Sequence, residues 1–191
     1  MKILFANIPQ WLPVSPYLSA PLLAGQLKAA GFDACALDLG IEFYNTVLTR
    51  DYVKKSVAAA KAILQKNYST PSDEYRYNLI KEFFETQGAL ADGICEKIDE
   101  AVSVFKTAEK FYNPELLFEA RDTVTDALKI ISLPFAPARL EFDNYFTDPT
   151  MSLDYENLRN HSFDGEHNMF LGWLEERSLA CYRGEKTGTN F

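Results

Sequence analysis

From residue 51 to residue 131, apolar side chains recur every three or four positions, and this periodicity constrains the fold more than any other feature. Each apolar stripe covers about a third of a helix surface, so each predicted helix must pack against a neighbour. Asn113 and Pro114 precede the last stripe, as a helix cap and a first-turn proline would. The pattern predicts a helical subdomain with its own core. Its stripes are Val53, Val57, Ala60 and Leu64; Tyr77, Ile80 and Phe84; Leu90, Ile94, Ile98, Ala101, Phe105 and Ala108; and Leu117, Ala120, Val124, Ala127 and Ile131.

Residues 1–50 predict a different arrangement, in which a strand, a loop, a helix and a second strand follow one another. Residues 3–6 are continuously apolar, which is typical of a parallel strand buried on both faces. Pro21 suits the first position of a helix, and Gly31 suits its carboxyl-terminal stop. Residues 34–37 form the second apolar run. A helix-sized connection between two such strands predicts a parallel, right-handed β-α-β unit.

Polar and turn-forming residues follow both predicted strands. Asn7 and Pro9 lie after the first strand, and Asp38 ends the second. In open α/β sheets ligands bind outside the carboxyl ends of strands, so these three residues are the candidate cofactor-binding residues. The Gly-x-Gly-x-x-Gly turn of nicotinamide and flavin folds is replaced by a loop with prolines, which disfavours those cofactors. An alternative role for Asp38 is that of a turn residue at the strand end.

The remaining residues, 132–191, carry a weaker pattern. Residues 133–149 are rich in proline and aromatic residues and predict an ordered loop, residues 153–158 and 169–174 predict short helices, and residues 183–191 predict a frayed tail. The predicted fold is therefore α/β, with a partial Rossmann-like parallel sheet in 1–50, a large all-helical insert in 51–131 and a loop-rich segment in 132–191.

Composition excludes several classes of function. The formal net charge of −8 argues against a nucleic-acid partner, because phosphate backbones require a basic face. No apolar run has the length of a membrane span or a secretory signal, which predicts a cytoplasmic protein without a membrane partner. Cys35, Cys95 and Cys181 are too far apart for a Cys-x-x-Cys metal site and predict reduced thiols.

A weaker candidate site surrounds the two histidines. His161 and His167 flank Asp164 and Glu166, and all four residue types can bind a metal. No helical pairing such as His-Glu-x-x-His holds them together, so solvated loop residues are the preferred interpretation and no metal site is assigned.

Several short motifs of the opening point to one family. They are Lys2-Ile3-Leu4, Asn7-Ile8-Pro9, Pro21-Leu22-Leu23-Ala24-Gly25-Gln26-Leu27 with Gly31, and Asp38-Leu39. With these motifs the chain resembles radical SAM proteins that carry an amino-terminal cobalamin-binding domain, although Ile8 replaces a proline of the family loop. Some members insert helices after the second strand and continue with a segment like residues 127–137, so the resemblance covers roughly residues 1–175.

The resemblance implies a cobalamin-binding-type sheet with Asn7, Pro9 and Asp38 at its cofactor edge. For the full-length family it also implies cobalamin, S-adenosylmethionine and an iron–sulfur cluster. This sequence lacks the Cys-x-x-x-Cys-x-x-Cys motif that holds such a cluster, the Asp-x-His-x-x-Gly motif of an axial ligand, and the Gly-Gly loop of the family. The resemblance therefore implies the first part of a longer protein, which is not catalytic alone, binds no cofactor tightly and docks to a carboxyl-terminal radical SAM domain.

Two other functions remain open from the sequence. The amino-terminal lobe of a two-domain glycosyltransferase can open with the same strand, loop, helix and strand, but it needs a second Rossmann-like domain. A helical protein-interaction module would use residues 51–131 to bind a partner, and it would expose a long apolar groove.

Overall fold

The computed structural model of the chain describes residues 2–7, 18–67, 71–141, 145–146 and 173. These residues form a mostly helical protein with a small parallel sheet at its amino-terminal end, an α/β arrangement with a large helical content. The elements are β1 (Lys2–Asn7), α1 (Ser19–Ala29), β2 (Asp33–Asp38), α2 (Leu39–Val47), α3 (Arg50–Ile63), α4 (Pro71–Lys106), α5 (Ala108–Phe111), α6 (Pro114–Ser132), a 3-10 helix (Leu133–Phe135), β3 (Arg139–Leu140) and β4 (Tyr145–Phe146).

The two strands of the opening unit are parallel, as predicted. β1 and β2 pair in parallel along their whole length, and α1 connects them and packs against both strands. α1 begins at Ser19, two residues before the predicted start, so Pro21 is the third helical residue instead of the first. This position still tolerates proline, because the first turn of a helix has no carbonyl partner for its N–H groups.

Gly31 ends α1 as predicted. Its φ angle of 88° lies in the left-handed region that favours glycine. The amide of Phe32 donates to the carbonyl of Leu27 at 2.9 Å, and the amide of Gly31 donates to that of Lys28 at 3.0 Å. These two bonds form a Schellman motif, which satisfies the last carbonyls of the helix and turns the chain into β2.

The burial of β1 differs from the prediction. Ile3 and Phe5 are half-buried, whereas Ala6 is exposed and Leu4 is 58% exposed, so the expectation of a strand buried on both faces is wrong. The parallel register pairs Ile3 with Ala34, which is buried, and Leu4 with Cys35, which is half-buried. Because α1 packs on one face of the strand pair, side chains that alternate to the other face stay accessible.

Helix α2 was not among the predicted elements, and it joins the opening unit to the helical core. Phe43 and Val47 are fully buried in the same apolar cluster as residues of α4 and α6. The ring of Phe43 meets that of Trp173 edge-on, with centroids 5.6 Å apart. The strand end and the helical core are therefore connected by one short helix.

The helical stripes are confirmed. The second and third stripes belong to one helix, α4, with 36 residues, and Ala108 begins α5. α3 begins after Thr49, whose hydroxyl accepts the amide of Tyr52. α6 begins after Asn113, which caps it as predicted, with its Oδ1 accepting the amides of Glu115 and Leu116 at 3.1 and 3.3 Å. Buried residues of α4 and α6 supply most of the core.

Residues after α6 are only partly described. The predicted ordered loop contains the 3-10 helix and the short antiparallel pair of β3 and β4, which the sequence analysis missed. Trp173 is helical and buried, whereas the other residues of the predicted helices 153–158 and 169–174 lie outside the described residues. The division into segments 1–50, 51–131 and 132–191 stays a prediction. Among the described helices, none is both long and apolar enough to span a bilayer.

Candidate ligand site at the carboxyl edge of the parallel sheet

The structure aligns the carboxyl ends of both strands. Asn7 and Asp38 are direct partners in the parallel register, so two of the three predicted site residues share one edge of the sheet. We call this the carboxyl edge, defined by Asn7 and Asp38. Pro9, the third candidate, lies outside the described residues. Neighbouring strands are about 4.8 Å apart, so any ligand that contacts Asn7 also lies near Asp38.

Asp38 has a clear structural role at this edge. Its backbone is extended, with φ −99° and ψ 96°, and its Oδ1 accepts the amide of Ile41 at 3.0 Å. This is the hydrogen bond of a helix N-cap, which satisfies an amide that has no partner inside the helix. The alternative role as a strand-end turn residue is thus supported, and the ligand role stays a prediction.

Helix α2 begins at this edge, directly after Asp38. Its amino terminus carries partial positive charge, and two acidic residues lie beside it, Asp38 at the cap and Glu42 in the first turn.

Glu42 is the residue that sequence reasoning missed. It lies in the first turn of α2, four residues after Asp38, and its side chain is only 2% exposed. Asp38 and Glu42 therefore occupy the same side of the α2 amino terminus. Carboxylates are seldom fully buried, and buried ones mark either a structural network or a functional group. The available signal was an acid inside the apolar run Ile41-Glu42-Phe43-Tyr44.

A separate pocket of about 400 Å³ lies between α3 and α4. Arg50 contacts two residues of α4 in this pocket. Its Nε lies 3.6 Å from Oδ2 of Asp99, and its Nη2 donates to the carbonyl of Glu96 at 3.2 Å. Cys95 also lines this pocket, and burial raises the pKa of its thiol. A raised pKa disfavours the thiolate, which is the reactive form of cysteine.

The described residues do not fit an iron–sulfur cluster. Within the described ranges, no group of three or more His, Cys, Asp and Glu residues converges. Cys35 lies on β2 and Cys95 on α4, and both are free thiols. Cys181 and the weaker candidate group of His161, Asp164, Glu166 and His167 lie outside the described residues.

Comparison with models of known protein families, with curated proteins and with solved structures found no match. The residues at the carboxyl edge and their geometry are therefore the basis for a functional assignment.

Proposed function

We propose that this chain supplies the opening β-α-β unit and the helical insert of a cobalamin-binding-type domain in a radical SAM protein. In this role the chain is not catalytic by itself. It contributes one part of a cofactor-binding edge, namely Asn7 and the residues that follow it in the chain, and other elements complete the site. Asp38 contributes by fixing the start of α2 behind that edge.

One observation carries this proposal: the parallel register that pairs Asn7 with Asp38 at the carboxyl end of both strands. A parallel pair with a helix between its strands is half of the unit on which doubly wound folds bind cofactors. The helices α3 to α6 follow this unit in the chain, as the resemblance implies for members with a helical insert.

The described residues fit only a small part of a corrin. Two strand ends span a few ångströms, whereas enclosing a large ring requires loops from several strands. We therefore expect weak cobalamin binding by the isolated chain, and we assign no reaction step to its residues. We also expect no cleavage of S-adenosylmethionine. Cleavage needs an iron–sulfur cluster held by neighbouring thiolates, whereas Cys35 and Cys95 lie on different elements.

The proposal is tested by titrating the isotopically labelled chain with hydroxocobalamin and following amide chemical shifts. We expect weak binding in fast exchange, with shifts confined to residues near Asn7 and to the start of α2. An Asn7→Ala variant should reduce these shifts. The matched control is Asn113→Ala, which removes an asparagine at the start of α6, in the helical part of the chain.

Two results would contradict the proposal. If no shifts appear at millimolar cobalamin, or if the shifts map to the α3–α4 pocket, the carboxyl edge is not the cobalamin-binding site. Stoichiometric micromolar binding, or 5′-deoxyadenosine formed after iron–sulfur reconstitution, would show that the chain does not depend on other elements.

A second candidate, the helical interaction module, is favoured by exposed aromatic residues at the turn between α5 and α6. Tyr112 is 81% exposed and Phe118 is 60% exposed, and the ring of Phe111 meets that of Tyr112 edge-on. Aromatic side chains are enriched where proteins bind one another. If a protein copurifies with the chain and is lost on Tyr112→Ser, while the cobalamin-induced shifts persist, this second function gains support.

A further inference from the structure

We draw no further inference here: the strongest candidate, the exposed apolar surface of α1 around Leu18 and Leu22, is a patch for which nothing in the described part of the chain shows what covers it.

Discussion

At the residue scale, the side chains with the clearest roles are small polar groups that hold backbone amides. Asp38 caps α2, Asn113 caps α6 and Thr49 caps α3. Ser132 has a similar role in the buried part of the protein. Its hydroxyl donates to the carbonyl of Leu128 and accepts a hydrogen bond from the amide of Leu140, both at 2.7 Å. These bonds locate the starts of three helices and the position of β3.

Replacing Asp38 tests whether its role is structural. Asp38→Ala should lower the free energy of unfolding by about 1 kcal/mol, the usual value of an N-cap. Asp38→Asn retains an oxygen that can accept the amide of Ile41, so it should be nearly neutral. Chemical denaturation followed by circular dichroism measures both variants. Equal stability of wild type and Asp38→Ala would mean that the cap contributes nothing.

Replacing Ser132 tests the buried hydroxyl. Ser132→Ala leaves the amide of Leu140 without its acceptor in a buried position, which should cost about 1–3 kcal/mol. The control is Thr125→Ala on the same helix, whose hydroxyl donates to the carbonyl of Arg121 near the surface. That change should stay within about 0.5 kcal/mol. If both variants lose the same stability in urea denaturation, the bond to Leu140 is not responsible.

At the element scale, α1 shows how one glycine can stop a helix while another merely weakens it. Gly31 has a positive φ angle, whereas Gly25 lies inside the helix. An added Cβ would meet nothing within 4 Å at either position, so the two sites differ in backbone conformation and not in space. Substitutions at Gly31 and Gly25 therefore test the effect of backbone conformation without a contribution from steric contact.

We expect opposite signs for the two alanine substitutions. Gly31→Ala should destabilise the chain by about 1 kcal/mol, because a left-handed conformation is unfavourable for residues with a Cβ. Gly25→Ala should stabilise it by about 0.5–1 kcal/mol, because alanine favours the helix interior. Thermal unfolding of both variants is the measurement. A stabilising Gly31→Ala would contradict the Schellman motif.

The strands and the helices should also differ in protection. β1 and β2 form a sheet of two strands with an open edge in the described part of the chain, whereas α4 is buried against α3 and α6. Two-stranded sheets are marginal in water. Amides of β1 and β2 should therefore exchange faster than those of residues 90–106 in α4. Slower exchange in the strands would contradict this expectation.

At the scale of the whole molecule, α2 connects two parts that the sequence pattern treats separately. Its amino terminus is capped by the last residue of β2, and its Phe43 and Val47 lie in the helical core. The carboxyl edge is therefore connected through α2 to the core that α4 and α6 form. Its geometry depends on the packing of the helices as well as on the sheet.

Phe43 tests this connection. Phe43→Ala should cost about 3–5 kcal/mol, the usual loss for a fully buried phenylalanine. It should also shift the fluorescence of Trp173 toward that of a solvated indole, since the two rings are in contact. Trp11 is the other tryptophan, so the measurement uses a Trp11→Phe background. Phe43→Leu keeps most of the volume and should lose much less. An unchanged emission spectrum in Phe43→Ala would contradict the contact.

The features that depend on a local pattern could be predicted from the sequence. Residue spacing predicted the helical stripes, the cap at Asn113, the stop at Gly31 and the parallel unit, because periodicity, capping and glycine preference act within a few residues. The same spacing predicted that Asn7 and Asp38 lie at the ends of their strands.

The surroundings of these local patterns depend on the tertiary structure. An apolar strand cannot indicate how many neighbours it will have, so the exposure of Leu4 was missed. An acid in an apolar run cannot indicate whether it points inward, so the burial of Glu42 was missed. Both depend on contacts between residues distant in the chain, which local spacing does not encode.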